Sequence, residues 1–427
     1  TIQEVEEMPE RFVQFLEKNG IAVSRYSKVI EVPRFVRIPI IRPLQNTIQE
    51  VEKEMETKLV RTCLPRIFHL KHHGSISGYA CYKSGSIFGI DLASALAVAA
   101  LDLHKGLHVL DLCCAPGAKL CMIAEVVADQ TSSRKNEFSA NSEKVRRNSM
   151  KISDSESFGS VTGVDIGRER LNTCRNLMRK YKIMGARLFH EDGTKFFHPP
   201  PSTPILHNRI LTLGDTQNIP MNFKKRGKKK RKRATWTSES EGASTLTAID
   251  DNKGSEGLYA RVLVDAECTH DGSIKHMNKY IKNGWKGFHQ KVLGEERMSS
   301  LRDLQRSLIQ NGFKNLAQGG ILVYSTCSFC RCQNEDIIDW LLAKNPNAKL
   351  LPPHPTSTPR DPREDKESCE LDGSCSTEHV KASKFLPKWG FRDNTVRFDP
   401  WNSGTSGLFL ARITKIAQSE SLPSRNQ

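Results

Sequence analysis

Two cysteines follow short apolar runs in the second half of the chain. Cys268 comes three residues after the run Arg261–Asp265, and Cys327 comes three residues after Ile321–Tyr324. Because neighbouring parallel strands end at one edge of a sheet, two such thiols would face one crevice. A thiolate is a nucleophile. A single cysteine at such a place is more often structural, but a pair beside an aspartate favours chemistry.

A strand, a tight turn and a helix follow one another between Val109 and Lys119, in the order Val-Leu-Asp-Leu-Cys-Cys-Ala-Pro-Gly-Ala-Lys. In this arrangement the free backbone N–H groups at the start of the helix meet a ligand at the carboxyl end of the strand. The spacing matches neither the Walker phosphate loop nor the Gly-x-Gly-x-x-Gly motif. On this segment alone, an ordinary strand–turn–helix remains the alternative.

Two aspartates close later strands. Asp165 ends a Val-Thr-Gly-Val run, where a carboxylate can accept both hydroxyls of a ribose, and Asp192 follows Leu-Phe-His-Glu, where an adenine could be met. An isolated aspartate of this kind is usually a cap or turn residue, so the argument rests on three such sites in one order. The interval from Asp111 to Asp165 is 54 residues, and 25 remain when the polar stretch 130–158 is set aside, which is close to a normal βαβ step.

Short apolar strands alternate with helical patterns along the chain. This alternation predicts a Rossmann-like, doubly wound α/β sheet. The predicted strands are His108–Leu112, Val161–Asp165, Arg187–His190, Arg261–Asp265 and Ile321–Tyr324, with a hairpin-like pair at Thr395–Phe398 and Gly407–Ile413. The predicted helices are Lys119–Ala128, Arg168–Ile183, Leu301–Ala317 and Glu335–Lys344.

The chain divides into a small N-terminal α/β module, a main domain and a tail. The predicted boundaries are 1–75, 76–415 and 416–427. Within the first module we expect helices at Glu4–Asn19 and Thr47–Val60 and an extended run at Val32–Ile41. Three polar stretches of low hydrophobicity predict disordered insertions at 130–158, 198–257 and 352–390.

The chain of 427 residues carries a net charge of +16, which favours a polyanionic partner such as nucleic acid. Nine of these positive charges lie in Lys224–Arg233, which leaves about +7 for the rest of the chain. We interpret this tract as a nuclear or nucleolar address with weak RNA affinity, and an inert solvated loop is the alternative. No run approaches the ~20 apolar residues of a membrane span, so we expect no integral membrane protein.

The order of these segments resembles the Nop/Sun-type (Fmu-like) RNA (cytosine-5) methyltransferases, which use S-adenosyl-L-methionine. Residues 111–119 are similar to the methionine-binding turn of that family, and residues 163–165 and 192–193 to its ribose and adenine contacts. Residues 265–268, Asp-Ala-Glu-Cys, are similar to its Asp-Ala-Pro-Cys, and residues 325–328, Ser-Thr-Cys-Ser, to the segment with its nucleophile. The resemblance covers about residues 30–415 without the insertions, and the two-cysteine pairing is its most specific part.

The resemblance implies a role for each residue of the site. Cys327 would be the thiol that attacks carbon 6 of the cytosine, and Asp265 would steady its N3 and amino edge. Cys268 would assist product release, and Lys119 would reach the base or the cofactor. The implied cofactor contacts are Cys113, Cys114, Ala115, Pro116, Gly117, Lys119, Asp165, Asp192 and Asp265.

The chain departs from the family pattern at several positions. Glu267 replaces the proline before Cys268, and Ala118 and Leu120 replace the usual glycine and threonine. A carboxylate next to Cys268 should disfavour its thiolate, which argues that Cys268 is not the attacking group. Glu267 also supports an alternative, a catalytically impaired relative that acts as an RNA-binding ribosome-assembly factor. The missing proline counts against a third reading, a DNA cytosine methyltransferase.

Cys327, Cys330 and Cys332 have a metal-like C-x-x-C-x-C spacing. Zinc normally needs a fourth ligand from a second motif, and none is evident, so we predict no metal. The combined prediction is methylation of carbon 5 of cytosine in structured RNA, with rRNA favoured over tRNA. We expect a protein that acts as a monomer in the nucleus or nucleolus, with the organelle and the cytoplasm left open.

Overall fold

The computed structural model describes residues 8–27, 29, 31, 34–71, 74–128, 158–205, 210–211, 259–353 and 392–417. The predicted insertions, the tail and the basic tract Lys224–Arg233 lie wholly or mostly outside these residues. Within the described part of the chain, the helices are all too short or too polar to span a membrane.

The N-terminal part contains a small antiparallel sheet. Its elements are α1 (Glu10–Lys18), β1 (Arg34–Arg37), α2 (Leu44–Met55), β2 (Leu59–Arg61), β3 (Ile67–Leu70), α3 (Ala80–Lys83) and β4 (Phe88–Gly89). The strand order is β2-β3-β1-β4. The sheet extends past the predicted boundary at residue 75, because β4 supplies the edge strand beside β1. The helix predicted up to Val60 ends at Met55, because Glu56 turns the chain into the left-handed region and Val60 belongs to β2.

The main domain contains a nine-stranded sheet with helices between its strands. Its elements are α4 (Leu92–Ala99), β5 (His108–Asp111), α5 (Ala118–Val127), β6 (Ser160–Asp165), α6 (Arg168–Lys180), β7 (Ala186–His190), β8 (Ile210–Leu211), β9 (Tyr259–Asp265), α7 (Ile274–Asn283), α8 (Glu295–Asn315), β10 (Leu316–Thr326), α9 (Glu335–Lys344), β11 (Ala348–Leu351), β12 (Thr395–Phe398), α10 (Pro400–Ser403) and β13 (Leu408–Lys415). The strand order is β11-β13-β10-β9-β5-β6-β7-β8, with β12 also paired to β13.

The order of the strands confirms the predicted doubly wound sheet. From β5 the chain winds outward through parallel β6, β7 and β8, and it then returns to β9 on the other side of β5. This reversal creates a topological switch point, where the crevice outside the carboxyl ends of the strands binds ligands in such folds. The predicted late strands are also confirmed, because β12 pairs antiparallel with β13.

The register between β9 and β10 determines how the two cysteine-bearing loops meet. Ser325 lies opposite Asp265 in this parallel pair. Between Leu316 and Ile321 the register shifts, because β10 advances five residues while β9 advances only from Tyr259 to Arg261. The irregularity lies at the start of β10, at the end of the strand remote from the cysteines.

Two contacts connect parts of the chain that are distant in sequence. Arg37 of β1 forms a buried ion pair with Glu125 of α5, with 2.5 Å between the nitrogen and the oxygen. This pair ties the small sheet to the helix that follows the turn after β5. Phe12 of α1 packs against Trp285 and Phe288, which follow α7, with ring centroids 5.3 and 4.8 Å apart.

A second buried ion pair lies beneath the loop that follows Cys327. Arg397 of β12 donates from Nε to Oε1 of Glu335 at 2.8 Å, and its side chain is fully buried. The same guanidinium donates to the second oxygen of Glu335 and to the carbonyl of Phe329. The pair therefore connects β12 to the start of α9 and to the residues just after β10.

Candidate active site

A cavity of about 990 Å³ lies at the carboxyl ends of β5, β6, β7, β9 and β10. Most of the predicted site residues line it, namely Cys113, Ala115, Pro116, Lys119, Asp165, Asp192, Asp265 and Cys327. Cys114, Gly117 and Cys268 are not among the residues that line this cavity. The topology thus gathers residues from the ends of five strands, β5, β6, β7, β9 and β10, as the order of motifs predicted.

The turn after β5 depends on Gly117, which has φ +107° and precedes the first residue of α5. A side chain there would be strained, and its Cβ would also lie 3.1 Å from Sγ of Cys174. The side chain of Cys114 is buried in the same place, because its Sγ lies against Gly163 and its carbonyl accepts from Cys174. Cys114 therefore contributes to the core, whereas Cys113 faces the cavity.

Asp165 ends β6 with its carboxylate held in a fixed position. Its Oδ1 accepts from the backbone N–H of Gly167 at 2.8 Å, and its Oδ2 accepts from the N–H of Ala115 at 3.3 Å. Arg170 lies 3.4 Å away and also donates to the Ala115 carbonyl. The next residue, Ile166, lines the cavity with a side chain that is 70% exposed.

Asp192 closes the turn after β7. Its Oδ1 accepts from both the backbone N–H and the hydroxyl of Thr194, at 2.9 and 2.7 Å. The carboxylate thus acts first as a turn-stabilising group, which is the ordinary role of a strand-end aspartate. It still lines the cavity together with Gly193.

Lys119 and Asp265 form the charged centre of the cavity. Nζ of Lys119 lies 2.7 Å from Oδ2 of Asp265 and donates to the hydroxyl of Ser94 at 3.3 Å. Oδ1 of Asp265 accepts from the hydroxyl of Ser325 at 2.7 Å. Burial lowers the pKa of Lys119, but the carboxylates of Asp265 and Asp111 outweigh it, and the net shift is upward. The lysine therefore stays charged.

Asp111 lies beneath this pair at the end of β5. It is almost completely buried, and burial together with the charge of Asp265 raises its pKa to about 8. Two carboxylates that share one lysine cannot both ionise freely in a poorly solvated site. Of these two carboxylates, that of Asp265 lines the cavity and that of Asp111 does not.

The two thiols meet as predicted at the ends of β9 and β10. Sγ of Cys268 lies 3.4 Å from Sγ of Cys327, and Nδ1 of His270 lies 2.9 Å from Cys327 and 3.6 Å from Cys268. Burial raises the pKa of Cys268 well above its ordinary value, and the neighbouring Cys327 adds to this. The pKa of Cys268 is therefore shifted upward, as expected from the sequence, but the main cause is burial and not the carboxylate of Glu267.

Glu267 forms an ion pair with Arg297. Its carboxylate lies 2.5 Å from the guanidinium of Arg297, and both side chains are partly exposed at the rim of the cavity. The ion pair balances the negative charge that the sequence places next to the thiol. The replacement of the family's proline by Glu267 thus leaves the geometry of the two sulfur atoms intact.

The C-x-x-C-x-C segment does not converge on one point. Cys330 and Cys332 contact each other, with 2.6 Å between their sulfur atoms, whereas Cys327 faces Cys268 and His270. The ligand atoms of these last three residues all lie within 4.8 Å of one another. A structural zinc site needs four protein ligands and this group supplies three, so it is not assigned as a metal site.

Several residues of the site were not predicted from the sequence. His270 lies two residues after Cys268, and a histidine so close to a candidate thiol was the signal that could have indicated it. Ile166 stands next to Asp165, and its exposure in the cavity depends on the folded chain. Arg170 and Ser325 gave no comparable signal, because their contacts depend on the folded chain.

Comparison with known proteins shows which sequences this chain is similar to. Residues 237–414 match the family model described as 16S rRNA methyltransferase RsmB/F. The chain is 31% identical over 163 residues to a tRNA (cytosine(49)-C(5))-methyltransferase of Pyrococcus abyssi. The aligned stretch covers 38% of this chain and 43% of that protein. It is also 24% identical over 358 residues to rRNA (cytosine-C(5))-methyltransferase NOP2C of Arabidopsis thaliana. That alignment covers 77% of this chain and 53% of the relative.

Solved structures share the fold. A methyltransferase homologue protein from Pyrococcus horikoshii superposes with a TM-score of 0.53 at 18% identity, over 96% of this chain and all of that one. NSun6 from Pyrococcus horikoshii, determined with SFG, gives a TM-score of 0.58 at 14% identity, over 97% of this chain and all of that one. The fold is therefore a Rossmann-like methyltransferase fold.

These matches confirm the predicted resemblance to the Nop/Sun-type RNA (cytosine-5) methyltransferases. The chain spans about half or less of the length of the curated relatives described above.

Proposed function

We propose that this chain methylates carbon 5 of a cytosine in structured RNA, with S-adenosyl-L-methionine as the methyl donor. The observation that carries the proposal is the pair of thiols 3.4 Å apart, at the edge of a cavity that also contains the Lys119–Asp265 pair. The family match supports rRNA as the substrate, with tRNA next. The basic tract Lys224–Arg233 supports a nuclear or nucleolar location.

Three features of the cavity support S-adenosyl-L-methionine as the cofactor. The carboxylate of Asp165 is held by two backbone N–H groups and lies where it can accept hydrogen bonds from ribose hydroxyls. The exposed face of Ile166 offers an apolar surface to a flat base. Gly117 allows the start of α5 to approach a ligand closely. When bound, the cofactor supplies the methyl group.

The side chains around the thiols account for the chemistry on the RNA. The target base must leave its stack to enter the cavity. Addition of the Cys327 sulfur to carbon 6 moves the electron pair of the C5–C6 double bond toward N3, and carbon 5 becomes nucleophilic enough to accept a methyl group. Asp265, held by Lys119 and Ser325, would steady the N3 and amino edge during this step. Loss of the proton from carbon 5 and of the Cys327 sulfur then restores the ring, and Cys268 assists this release.

Replacing Asp165 by asparagine should weaken the binding of S-adenosyl-L-methionine about 30-fold, which corresponds to the ~2 kcal/mol of a charge-assisted hydrogen bond. Isothermal titration calorimetry without RNA measures this directly. Glu169→Ala is the matched control, because Glu169 is exposed on α6 nearby and does not line the cavity. An unchanged dissociation constant for Asp165→Asn would contradict the assignment of the ribose site.

A row of lysines beside the cavity supports RNA as the partner. Residues 272–294 contain five lysines and two histidines but no aspartate or glutamate. Lys275, Lys279 and Lys282 are exposed on one face of α7, while Ile274 and Met277 are buried on the other. Lys275 also lines the cavity. A row of this kind follows a phosphate backbone without reading the base sequence.

Replacing Lys275, Lys279 and Lys282 together by glutamine should weaken RNA binding at low salt by about 10- to 100-fold. The slope of log affinity against log salt should fall by roughly 2, because each lost phosphate contact removes about 0.7 to 0.9. Fluorescence anisotropy with labelled RNA between 50 and 200 mM salt tests this expectation, since both quantities come from one titration. The control replaces the exposed Lys105, Lys344 and Lys349, and equal losses in both triple variants would show that the row has no special role.

A further inference from the structure

His270 contacts both thiols of the site, although neither the sequence motifs nor the proposed function gives it a role. Its Nδ1 lies 2.9 Å from Sγ of Cys327 and 3.6 Å from Sγ of Cys268. The imidazole also lines the cavity into which the base must enter. Among the histidines that the structure describes, His270 is the one whose ring lies within hydrogen-bonding distance of Cys327. Cys327 is the thiol that the proposed reaction uses as nucleophile.

The backbone of His270 has an unfavourable conformation. Its φ is +58°, in the left-handed region, which is unfavourable for a residue with a side chain. Such strain persists only where the surroundings enforce it, and it occurs most often at functional sites. At His270 the strain places an imidazole, and not a glycine or asparagine, beside a nucleophile.

Buried hydrogen bonds on both sides of His270 enforce this conformation. Before it, the N–H of Thr269 donates to the side chain of Gln333 at 3.1 Å. After it, Asp271 accepts from the N–H of Phe329 at 2.7 Å, and the N–H of Gly272 donates to the Cys327 carbonyl at 2.9 Å. The loop is therefore fastened to the segment after β10, the same segment that presents Cys327.

A second histidine lies against one face of the His270 ring. His276 of α7 stacks on His270 with 4.7 Å between the ring centroids and 15° between the planes. Nδ1 of His276 lies 2.9 Å from the hydroxyl of Ser273. His276 thus contacts the face of the ring, and its own hydrogen bond is made to Ser273 and not to a thiol. The position of Nδ1 follows instead from the loop bonds of Thr269, Asp271 and Gly272.

The charged and titratable groups around His270 favour its protonated form. Cys268, Glu267 and Asp271 face it from its own loop, Cys327 faces it from the end of β10, and His276 faces it from α7. The hydrogen bond with Cys268 raises the pKa of His270, burial lowers it, and the negative charges of Asp271 and Glu267 raise it further. An imidazole in this position can accept a proton near neutral pH.

We propose that His270 is the base that accepts the proton of the Cys327 thiol. The S–H bond breaks, its electron pair stays on sulfur, and the lone pair of Nδ1 forms the new N–H bond, so that a thiolate–imidazolium pair results. A positioned base of this kind activates a thiol before it attacks. The role assigned to Cys327 rests on the proposed function, but the proton transfer itself requires neither RNA nor S-adenosyl-L-methionine.

The reactivity of Cys327 toward iodoacetamide tests this inference on the full chain. Alkylation of the Cys327 peptide is followed by mass spectrometry between pH 5.5 and 9, with a chelator present to remove metal ions. The key variant is His270→Asn, because asparagine tolerates a left-handed backbone but is not a base at these pH values. His276→Asn is the matched control, since it removes the stacking partner and leaves the contacts of His270 with both thiols in place.

At pH 6.5 we expect Cys327 to react at least tenfold faster in the wild-type chain and in His276→Asn than in His270→Asn. In His270→Asn the rate should also rise about tenfold per pH unit, as for an unassisted thiol. Equal rates and equal pH profiles in wild type and His270→Asn would overturn the proposal.

A second variant separates loss of the base from loss of structure. Glycine adopts a positive φ without strain, so His270→Gly should keep the loop and leave space where the ring was. Adding imidazole to this variant should restore the alkylation rate several-fold, and it should change the wild-type rate little. Absence of rescue in a variant with wild-type thermal stability would count against a base at this position.

The two proposals can fail separately. If wild-type Cys327 shows the fast, His270-dependent alkylation but the protein transfers no methyl group to RNA, the thiol–imidazole pair stands and the proposed activity does not. If methyl transfer is found while alkylation is independent of His270, the activity stands and the role of His270 is wrong.

Discussion

Replacing Cys327 by alanine should reduce methyl transfer to RNA by at least about 10³-fold, because the proposed reaction begins with the bond between its sulfur and carbon 6 of the cytosine. Replacing Cys268 should have a different effect. The methylated base then stays attached to Cys327, since the thiol that assists release is missing. Denaturing gels with radiolabelled RNA should therefore show a slowly migrating protein–RNA adduct for Cys268→Ala and none for Cys327→Ala.

The double variant Cys268→Ala/Cys327→Ala is the control, because it should form no adduct and should still bind RNA. An adduct with Cys327→Ala but not with Cys268→Ala would reverse the two roles. A wild-type chain that binds RNA, forms no adduct and transfers no methyl group would favour the RNA-binding assembly factor that Glu267 suggested. Labelled S-adenosyl-L-methionine and total RNA are sufficient for the transfer assay.

The second large effect concerns stability. Glu335→Gln should lower the free energy of unfolding by about 3–5 kcal/mol, because it leaves the guanidinium of Arg397 charged, fully buried and without its carboxylate. Urea unfolding followed by fluorescence measures the change. Asp336→Asn, one residue further along α9, is the matched control: its ion pair with Arg331 is exposed, so the expected cost is below about 1 kcal/mol.

A double replacement tests the physical reason for this effect. Exchanging both members for apolar residues of similar volume, as in Glu335→Leu/Arg397→Met, should recover most of the lost stability, because no charge is then left in the core. A double variant as unstable as Glu335→Gln alone would mean that the hydrogen bond from Arg397 to the Phe329 carbonyl, and not the charge pair, stabilises this region.

Much of the fold could be predicted from local pattern. Short apolar runs ending in Asp111, Asp165 and Asp265 indicated parallel strands, and strands of this kind are buried on both faces, so their composition is distinctive. The small sheet was harder to predict, because β4 has only two residues and pairs with β1, about 50 positions earlier. The end of α2 was missed because it depends on the left-handed conformation of Glu56 and not on a change in polarity.

Part of the candidate site could also be predicted, because its residues follow the ends of the predicted strands. Parallel strands end at the same edge of the sheet, whatever the conformation of the loops between them. The approach of Cys268 to Cys327 therefore followed from the order of the strands. The orientation of side chains within a turn did not follow from it. Cys113 and Cys114 are adjacent in sequence, yet only the first faces the cavity, and the position of His270 depends on its strained backbone. The cofactor and catalytic roles of these residues stay predictions.

The irregular start of β10 has a consequence for how this chain tolerates change. Three more residues are accommodated on β10 than on β9 before regular pairing resumes at Ile321, and Gly319 in this segment has φ +73° with open space around it. An insertion or deletion at the junction of α8 and β10 can therefore be absorbed there, before it reaches the pairing of Ser325 with Asp265. A change in the length of α8 should therefore leave the distance between the sulfur atoms of Cys268 and Cys327 unchanged.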